Sequence, residues 1–579
     1  MLLLEEKKSK KLNLIKERRE IMKASKFIRF LRNGLFLVLV VSLVLILSCA
    51  GYTQQEARVI RQTGNDTYRL DPAVGSDLVS SIALCNIYDS LVFPITDGGV
   101  KPWLAKSWTV SEDGLTYTFE LVPGVKFHNG DELTADDVVF SMDRIISIGQ
   151  GYGYLFTTSV EEAKALEKYK VQFTLKKPFG PFLEVLVRLY ILNEKEVMAN
   201  IKKEGSYGEF GDYGKEWLLA YDAGSGPYKV KENKVPEYLL LEKFNDYWAG
   251  WENKDAPQYW KQIGTREAIT VRTLMSRGEL EITDQWQTNE NLNAMDQMPN
   301  IDVSSHFESS VMNIMLNTKI PPTDDIHFRK ALAYCFDYQQ LIDNIYPGSR
   351  IMGGPVSPDI PGYNPNLKPY IRDLAKAEEE LKQSPYYGKL DQYPIEIYWV
   401  NTVPSEEKIA LMFQANAAKV GIKVNIVKSP WLTMVDTMAK PETTPHASII
   451  FVSPHYAEAG SILMSRYHSS SCGTWEQGEW LQNSEIDAMI EDAIATVNQK
   501  ERFQKYYTIQ EKIVELCPTI GFMEQPVRHA YRTDYVVFPA EETVKQGKAC
   551  TQVLGYNFYL RDFKVFPEKA QTPYIPFRP

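Results

Sequence analysis

Residues 113–144, DGLTYTFELVPGVKFHNGDELTADDVVFSMDR, constrain the fold more than any other stretch of the chain. Thr116 to Leu121 alternate and are rich in β-branched and aromatic residues, which predicts a strand. Pro123-Gly124 and Asn129-Gly130 are turn signals on either side of a short Val125-Lys126-Phe127 segment. Thr134 then starts a helix. Its hydroxyl can cap free amides, and Asp137, three residues on, suits the positive helix end. Val138, Val139 and Met142 give that helix one apolar side. The result is a rigid strand-turn-strand-helix block carrying no reactive group.

The chain has 579 residues, too many for one hydrophobic core, so two or three domains are expected. Residues 35–47 are apolar except for Ser42. That run is shorter than the roughly 18 residues a membrane span needs. Lys23, Lys26, Arg29 and Arg32 precede it, and a basic flank before a short apolar run is a secretory signal. It ends Ile46-Leu47-Ser48-Cys49, which resembles a lipoprotein signal: the Ser48–Cys49 bond is cut and Cys49 carries the lipid. The alternative is a plain secretory signal with a nearby cysteine. Met22 opens a normal basic n-region, whereas residues 1–21 mix both charge signs, so translation starts at Met1 or at Met22. The net charge of −10 argues against a nucleic-acid partner. Five cysteines besides Cys49 leave room for one disulfide in an exported protein, and the sequence does not choose the pair.

Further along, the pattern alternates between strands and helices. Strands are expected over 58–61, 169–175, 310–317, 395–400, 422–427, 448–452 and 519–524. Helices are expected over 76–91, 327–336, 337–345 and most of 485–516. Asp337 caps one helix and Ser405 another, and Gly421 ends the latter in a left-handed conformation. The strand-helix-strand run 395–427 implies a right-handed crossover and a parallel strand pair.

Several of these segments carry a resemblance. Pro102, Leu104, Ala105 and Trp108 lead into the 113–144 block as "P-x-L-A-x-S-W". Leu70-Asp71-Pro72, Asn86-Ile87-Tyr88 and Gly224-Ser225-Gly226-Pro227-Tyr228 accompany it. Together they resemble the extracellular solute-binding proteins of family 5, the peptide- and nickel-type receptors of ABC importers. The resemblance implies an α/β, bilobal, periplasmic-binding-protein-like (type II) fold. The first lobe would comprise about 56–308 and 524–579, with an inserted subdomain near 93–190. The second lobe would be about 309–523, and the hinge would lie at crossings near Glu308 and Glu524. It implies a monomer outside the cytoplasm, held to a membrane only by the Cys49 lipid, serving ABC permease subunits. No cofactor, no metal and no catalytic residue is expected.

No HExxH, G-x-S-x-G or P-loop occurs, so a secreted hydrolase, the alternative of another class, lacks its constellation. His455, His468 and Cys472 make a weak zinc pattern that reads better as loop residues. In peptide-binding members an Asp of a "D-Y-x-D/E-P" segment takes the peptide amine. Here the segment reads His455-Tyr456-Ala457-Glu458-Ala459, with His455 at the Asp position, so Glu458 would have to supply the counter-charge. Other members bind oligosaccharides on stacked Trp, for which Trp286, Trp399, Trp431 and Trp475 are candidates. The ligand, an oligopeptide or an oligosaccharide, is thus expected against Trp286, Asn401, His455, Tyr456, Glu458 and Trp475. Asn401 joins that set because open α/β sheets bind ligand beyond their strand carboxyl ends.

Overall fold

The computed structural model describes residues 11–27, 29, 56–64, 69–96 and 98–577. The chain divides into two units, Met1–Glu56 and Ala57–Pro579. In the first, residues 11–27 are helical with exposed side chains. The apolar run before Cys49, and Cys49 itself, lie outside the described residues.

The second unit is built on sheets. Its principal strands, in chain order, are β1 Val59–Thr63, β2 Ala105–Val110, β3 Thr116–Leu121, β4 Val160–Glu167, β5 Lys170–Leu175, β6 Tyr228–Lys234, β7 Tyr238–Lys243, β8 Tyr259–Ile263, β9 Ile301–His306, β10 Val311–Leu316, β11 Arg350–Ile351, β12 Ile395–Val400, β13 Val424–Ser429, β14 Ala447–Val452, β15 Thr519–Glu524 and β16 Val527–Arg532. The helices used below are α1 Leu78–Ile87, α2 Ala135–Ile148, α3 Pro404–Ala417, α4 Trp431–Thr437 and α5 Gln499–Leu516.

The 113–144 block folds as its pattern dictates. In β3 the buried side chains are Tyr117, Phe119 and Leu121, one face of a pleated strand. It lies in the antiparallel sheet β2-β3-β5-β4. At the start of α2 the roles differ from a simple hydroxyl cap: the Asp137 carboxylate accepts the Thr134 backbone N–H at 2.8 Å and its hydroxyl at 3.1 Å. This is the reciprocal half of a capping box.

A second sheet, β1-β8-β7-β6, joins the start of the chain to residues 228–263, with β1 parallel to β8. The largest sheet has six strands in the order β11-β15-β10-β14-β12-β13. Its centre is buried on both faces: every residue of β10 and β15 is inaccessible. Strands β12, β13 and β14 run parallel to one another, and β10 runs antiparallel to β14. The strand-helix-strand unit at 395–429 therefore forms with its parallel pair, the second strand two residues later than expected. Helix α3 begins with Pro404 at its first position, so Val403 rather than Ser405 is its cap. Proline has no N–H to satisfy there, and its fixed φ suits a first turn. Gly421 closes the crossover helix at φ 79°.

The chain passes between sheets twice, side by side. Strand β9 pairs with β16, and β10, four residues after β9 ends, pairs with β15, two residues before β16 begins. A polar knot fastens this place. Ser309, at φ 58°, donates its backbone N–H to the Glu524 carboxylate at 3.2 Å. Ser357 Oγ donates to the same carboxylate at 3.0 Å, and Arg350 Nη1 lies 3.4 Å from it. Asn557 donates to Glu308 at 2.6 Å.

Candidate ligand-binding site

Parallel strands leave their carboxyl ends on one edge of the sheet, and that edge holds the site. Val400 ends β12, Pro430-Trp431 follows β13, and Ser453 and His455 follow β14. Because β10 runs the other way, its first neighbour, Ser310, arrives at the same edge. Opposite them stand the start of α1 (Ser76 to Val79), Arg266, Gln285 and Trp286. The cavity between these walls is about 110 Å³, smaller than the roughly 300–1,000 Å³ of ordinary small-molecule sites.

The walls are aromatic. Trp431 and Trp475 meet edge-on with centroids 5.1 Å apart, and Trp286 packs against Phe451 at 5.2 Å. His455 completes them and is only 2% exposed. Its Nδ1 is 2.5 Å from the Tyr154 hydroxyl and its Nε2 3.3 Å from Glu476. Its carbonyl accepts Arg188 Nε at 2.7 Å, which fixes the segment beneath the pocket.

The charged groups come mostly in pairs. Arg266 lies 4.0 Å from Asp284. Asp77 caps α1, accepting the Ser80 N–H at 3.0 Å. Glu406, in the first turn of α3, is 2% exposed, and one of its oxygens accepts the Val400 N–H at 2.6 Å. Burial pushes its carboxyl well above the usual range, against the smaller opposing pull of that N–H.

Of the six residues expected at the ligand, Trp286, His455 and Trp475 line this pocket together. The other three do not. Asn401 is exposed, and its backbone N–H is held by the Ser429 carbonyl at 2.9 Å. Its neighbours Val400, Thr402, Val403 and Glu406, on the same sheet edge, line the pocket instead. Tyr456 is core, 1% exposed. Glu458, expected to meet a ligand amine, is instead taken by Arg502 of α5, in a double bond of 2.9 and 2.7 Å, and by the Tyr506 hydroxyl at 2.7 Å. A carboxylate already neutralised inside the protein has no charge left for a ligand. Among the other tryptophans, Trp431 lines the pocket while Trp399 is buried in the core behind the sheet. Glu281 likewise pairs with Arg61, accepting its backbone N–H at 2.6 Å.

Glu406, Asp77 and Arg266 were not legible as site residues. An acid in a first helical turn reads as a dipole partner, and nothing in the sequence said that this turn would be buried. No group of three or more His, Cys, Asp or Glu among the described residues is placed to hold a metal. His468 Nδ1 bonds Ser470 at 2.7 Å and Cys472 Sγ lies 3.3 Å from Gln477.

An α/β body of several sheets, with an aromatic pocket at the carboxyl ends of parallel strands, defines a binding protein for small solutes, of the bilobal type. Comparison with known proteins gives the family. Residues 99–471, well over half the chain, match the family model "Bacterial extracellular solute-binding proteins, family 5 Middle". The chain belongs to that family. It is 29% identical over 460 residues to the probable D,D-dipeptide-binding periplasmic protein DdpA of Escherichia coli, covering 78% of this chain and 85% of that one. It is 27% identical to heme-binding protein A of Haemophilus influenzae, covering 77% and 82%. Among solved structures, the periplasmic binding protein DppA of Helicobacter pylori, in complex with the peptide STSA, superposes with a TM-score of 0.75 at 25% identity, covering 88% of this chain and 98% of that one. Among the described residues, no helix is long and apolar enough to cross a membrane.

Proposed function

We propose that this protein is an extracytoplasmic receptor that captures a peptide-like solute and delivers it to the permease of an ABC importer, without chemical turnover. The observation that carries this reading is the aromatic pocket at the carboxyl ends of β12, β13 and β14, in a family whose reported relatives include a probable dipeptide binder and a protein crystallised with a peptide. Residues 309–523 act as the second lobe and 56–308 with 524–579 as the first, which carries an inserted subdomain near 93–190. Closure occurs at the paired crossings beside Glu308 and Glu524. The exclusive membership of 311–316, 395–400, 424–429, 447–452 and 519–524 in one sheet supports that division. The protein works as a monomer, anchored through a lipid on Cys49.

Mass spectrometry of solute released from the purified protein tests the ligand class. Peptides in the released fraction, unchanged after incubation with the protein, support the reading; their hydrolysis, or a released fraction of sugars alone, overturns it. Metabolic labelling with palmitate tests the anchor, since label must appear on the wild type and vanish in Cys49→Ala.

A further inference from the structure

Glu406 is a deeply buried pocket acid that no basic side chain among the described residues answers. Glu406 is 2% exposed, so water satisfies little of it. One oxygen accepts the Val400 N–H, and no basic side chain among the described residues forms an ion pair with the group. Other acids nearby have closer partners: Asp284 lies 4.0 Å from Arg266, Glu458 is paired with Arg502, Asp77 accepts the Ser80 N–H and hydroxyl, and one oxygen of Glu476 lies 3.3 Å from His455. Beside Glu406, the Thr402 hydroxyl is buried at the same wall with no hydrogen-bond partner. A buried ionisable group without a partner is costly to keep, and in a cleft it marks a functional position. Trp286, Phe451, Trp431 and Trp475 line the same pocket, and aromatic rings attract cations over their faces.

We propose that Glu406 is the counter-ion for a cationic ammonium group of the ligand, with Thr402 Oγ1 as a neighbouring acceptor and the tryptophans as the cation's apolar walls. Glu406 thereby does what the carboxylate missing at His455 and the committed Glu458 do not. This rests on the solute-capture reading above and narrows it to solutes carrying an amine. A purely structural role, tying α3 to the end of β12 through Val400, needs only an acceptor, which glutamine also provides. The charge itself is what the ligand would use.

The test measures thermal stabilisation and titration calorimetry on ligand-stripped wild type and Glu406→Gln. The probes are a dipeptide pool with free amino termini, the same pool N-acetylated, and a set of small amines (agmatine, spermidine, choline). The expected result is binding of free dipeptides by the wild type, none of the acetylated pool, and a loss of about a hundredfold in Glu406→Gln. The acetylated comparison uses the wild type alone, so it stands even if the variant folds poorly. Acetylated peptides binding as well as free ones, or a folded variant that binds free dipeptides unchanged, would overturn the role of Glu406 and leave peptide capture intact. Small amines bound by the wild type and not by the variant, with all peptides failing, would keep Glu406 and overturn peptide capture. A wild type that binds neither peptides nor amines overturns both.

Discussion

At the scale of single residues, the same side-chain type does different work depending on what reaches it. Glu458 and Glu406 are both buried acids near the pocket, yet Glu458 is met by a guanidinium and Glu406 is not. Substituting Glu458 should therefore act on stability. Glu458→Gln strands the Arg502 charge inside the protein, and breaking such a pair costs about 3–5 kcal/mol. Urea unfolding should show a loss of that order, while any ligand that still binds the folded fraction should do so with near wild-type affinity. The distinction was not readable from the sequence. The segment His455 to Ala459 pointed to a loop whose histidine does line the pocket, but Arg502 comes from a helix more than 40 residues later. Only the fold shows that this helix lies behind Glu458.

Glu524 offers a titration at the same scale. It is fully buried, and desolvation lifts its carboxyl to about 7 despite Arg350 and the Ser357 hydroxyl. The unfolded chain holds the same group near its ordinary value of about 4.3. Between those two values the folded state binds more protons than the unfolded state. Glu524 therefore favours folding at low pH, and that advantage is lost as pH rises towards 7, by at most about 1.4 kcal/mol per pH unit. Glu524→Gln keeps an acceptor for Ser309 and Ser357 and cannot ionise. Its stability relative to wild type should rise steadily from pH 4.5 to pH 7 and then level off, as followed by urea unfolding across that range. A difference independent of pH would assign the carboxylate no such role.

Among the elements, what the sequence made visible was periodicity with punctuation. Strands β12 and β15 occupy the spans their alternation and flanking residues mark, 395–400 and 519–524. Asp337 accepts the Gln340 N–H at 3.0 Å, the cap its position suggests. Elements whose ends depend on contacts moved. Strand β13 starts at Val424 because it must align with β12, Val424 opposite Ile395. The site was half legible for a related reason. That ligand sits beyond the carboxyl ends of parallel strands is a rule of topology, and it points to the edge where the aromatic pocket lies. Which of residues 400–406 turns inward depends on where α3 begins, and Pro404 starts that helix two residues earlier than a Ser405 cap implies. An element-level consequence concerns Trp475, which follows no strand and is held against Trp431 of α4. Trp475→Ala removes half of that edge-on pair. It should weaken ligand binding about tenfold or more by calorimetry, with a smaller effect on the melting temperature.

The whole molecule is held without sulfur bridges among its described residues. Cys85, Cys335, Cys472, Cys517 and Cys550 are all free, and four of them are buried. Burial lifts the Cys85 and Cys335 thiols to about 12, which keeps them unreactive while the protein is folded. An aromatic disulfide reagent should find little thiol in the native protein. In denaturant, without reductant, it should find all five of these as well, and a shortfall of two would reveal a bridge. Cohesion therefore comes from packing and from strand pairs that span great distances along the chain.

One of those pairs, β9 with β16, bears on how the protein is made. Ser304 meets His529 across 225 residues, so β9 leaves the ribosome long before its partner exists. Contacts this distant are slow to close, and synthesis at roughly 5–20 residues per second adds a wait of many seconds. Until the last strands emerge, the region around β9 is a loose end. Nascent chains halted near residue 520 should be cut readily by protease around 301–306, and released full-length chains should resist. A polypeptide that finishes folding only when its tail is complete remains, for that interval, thin enough to be threaded through a secretion channel.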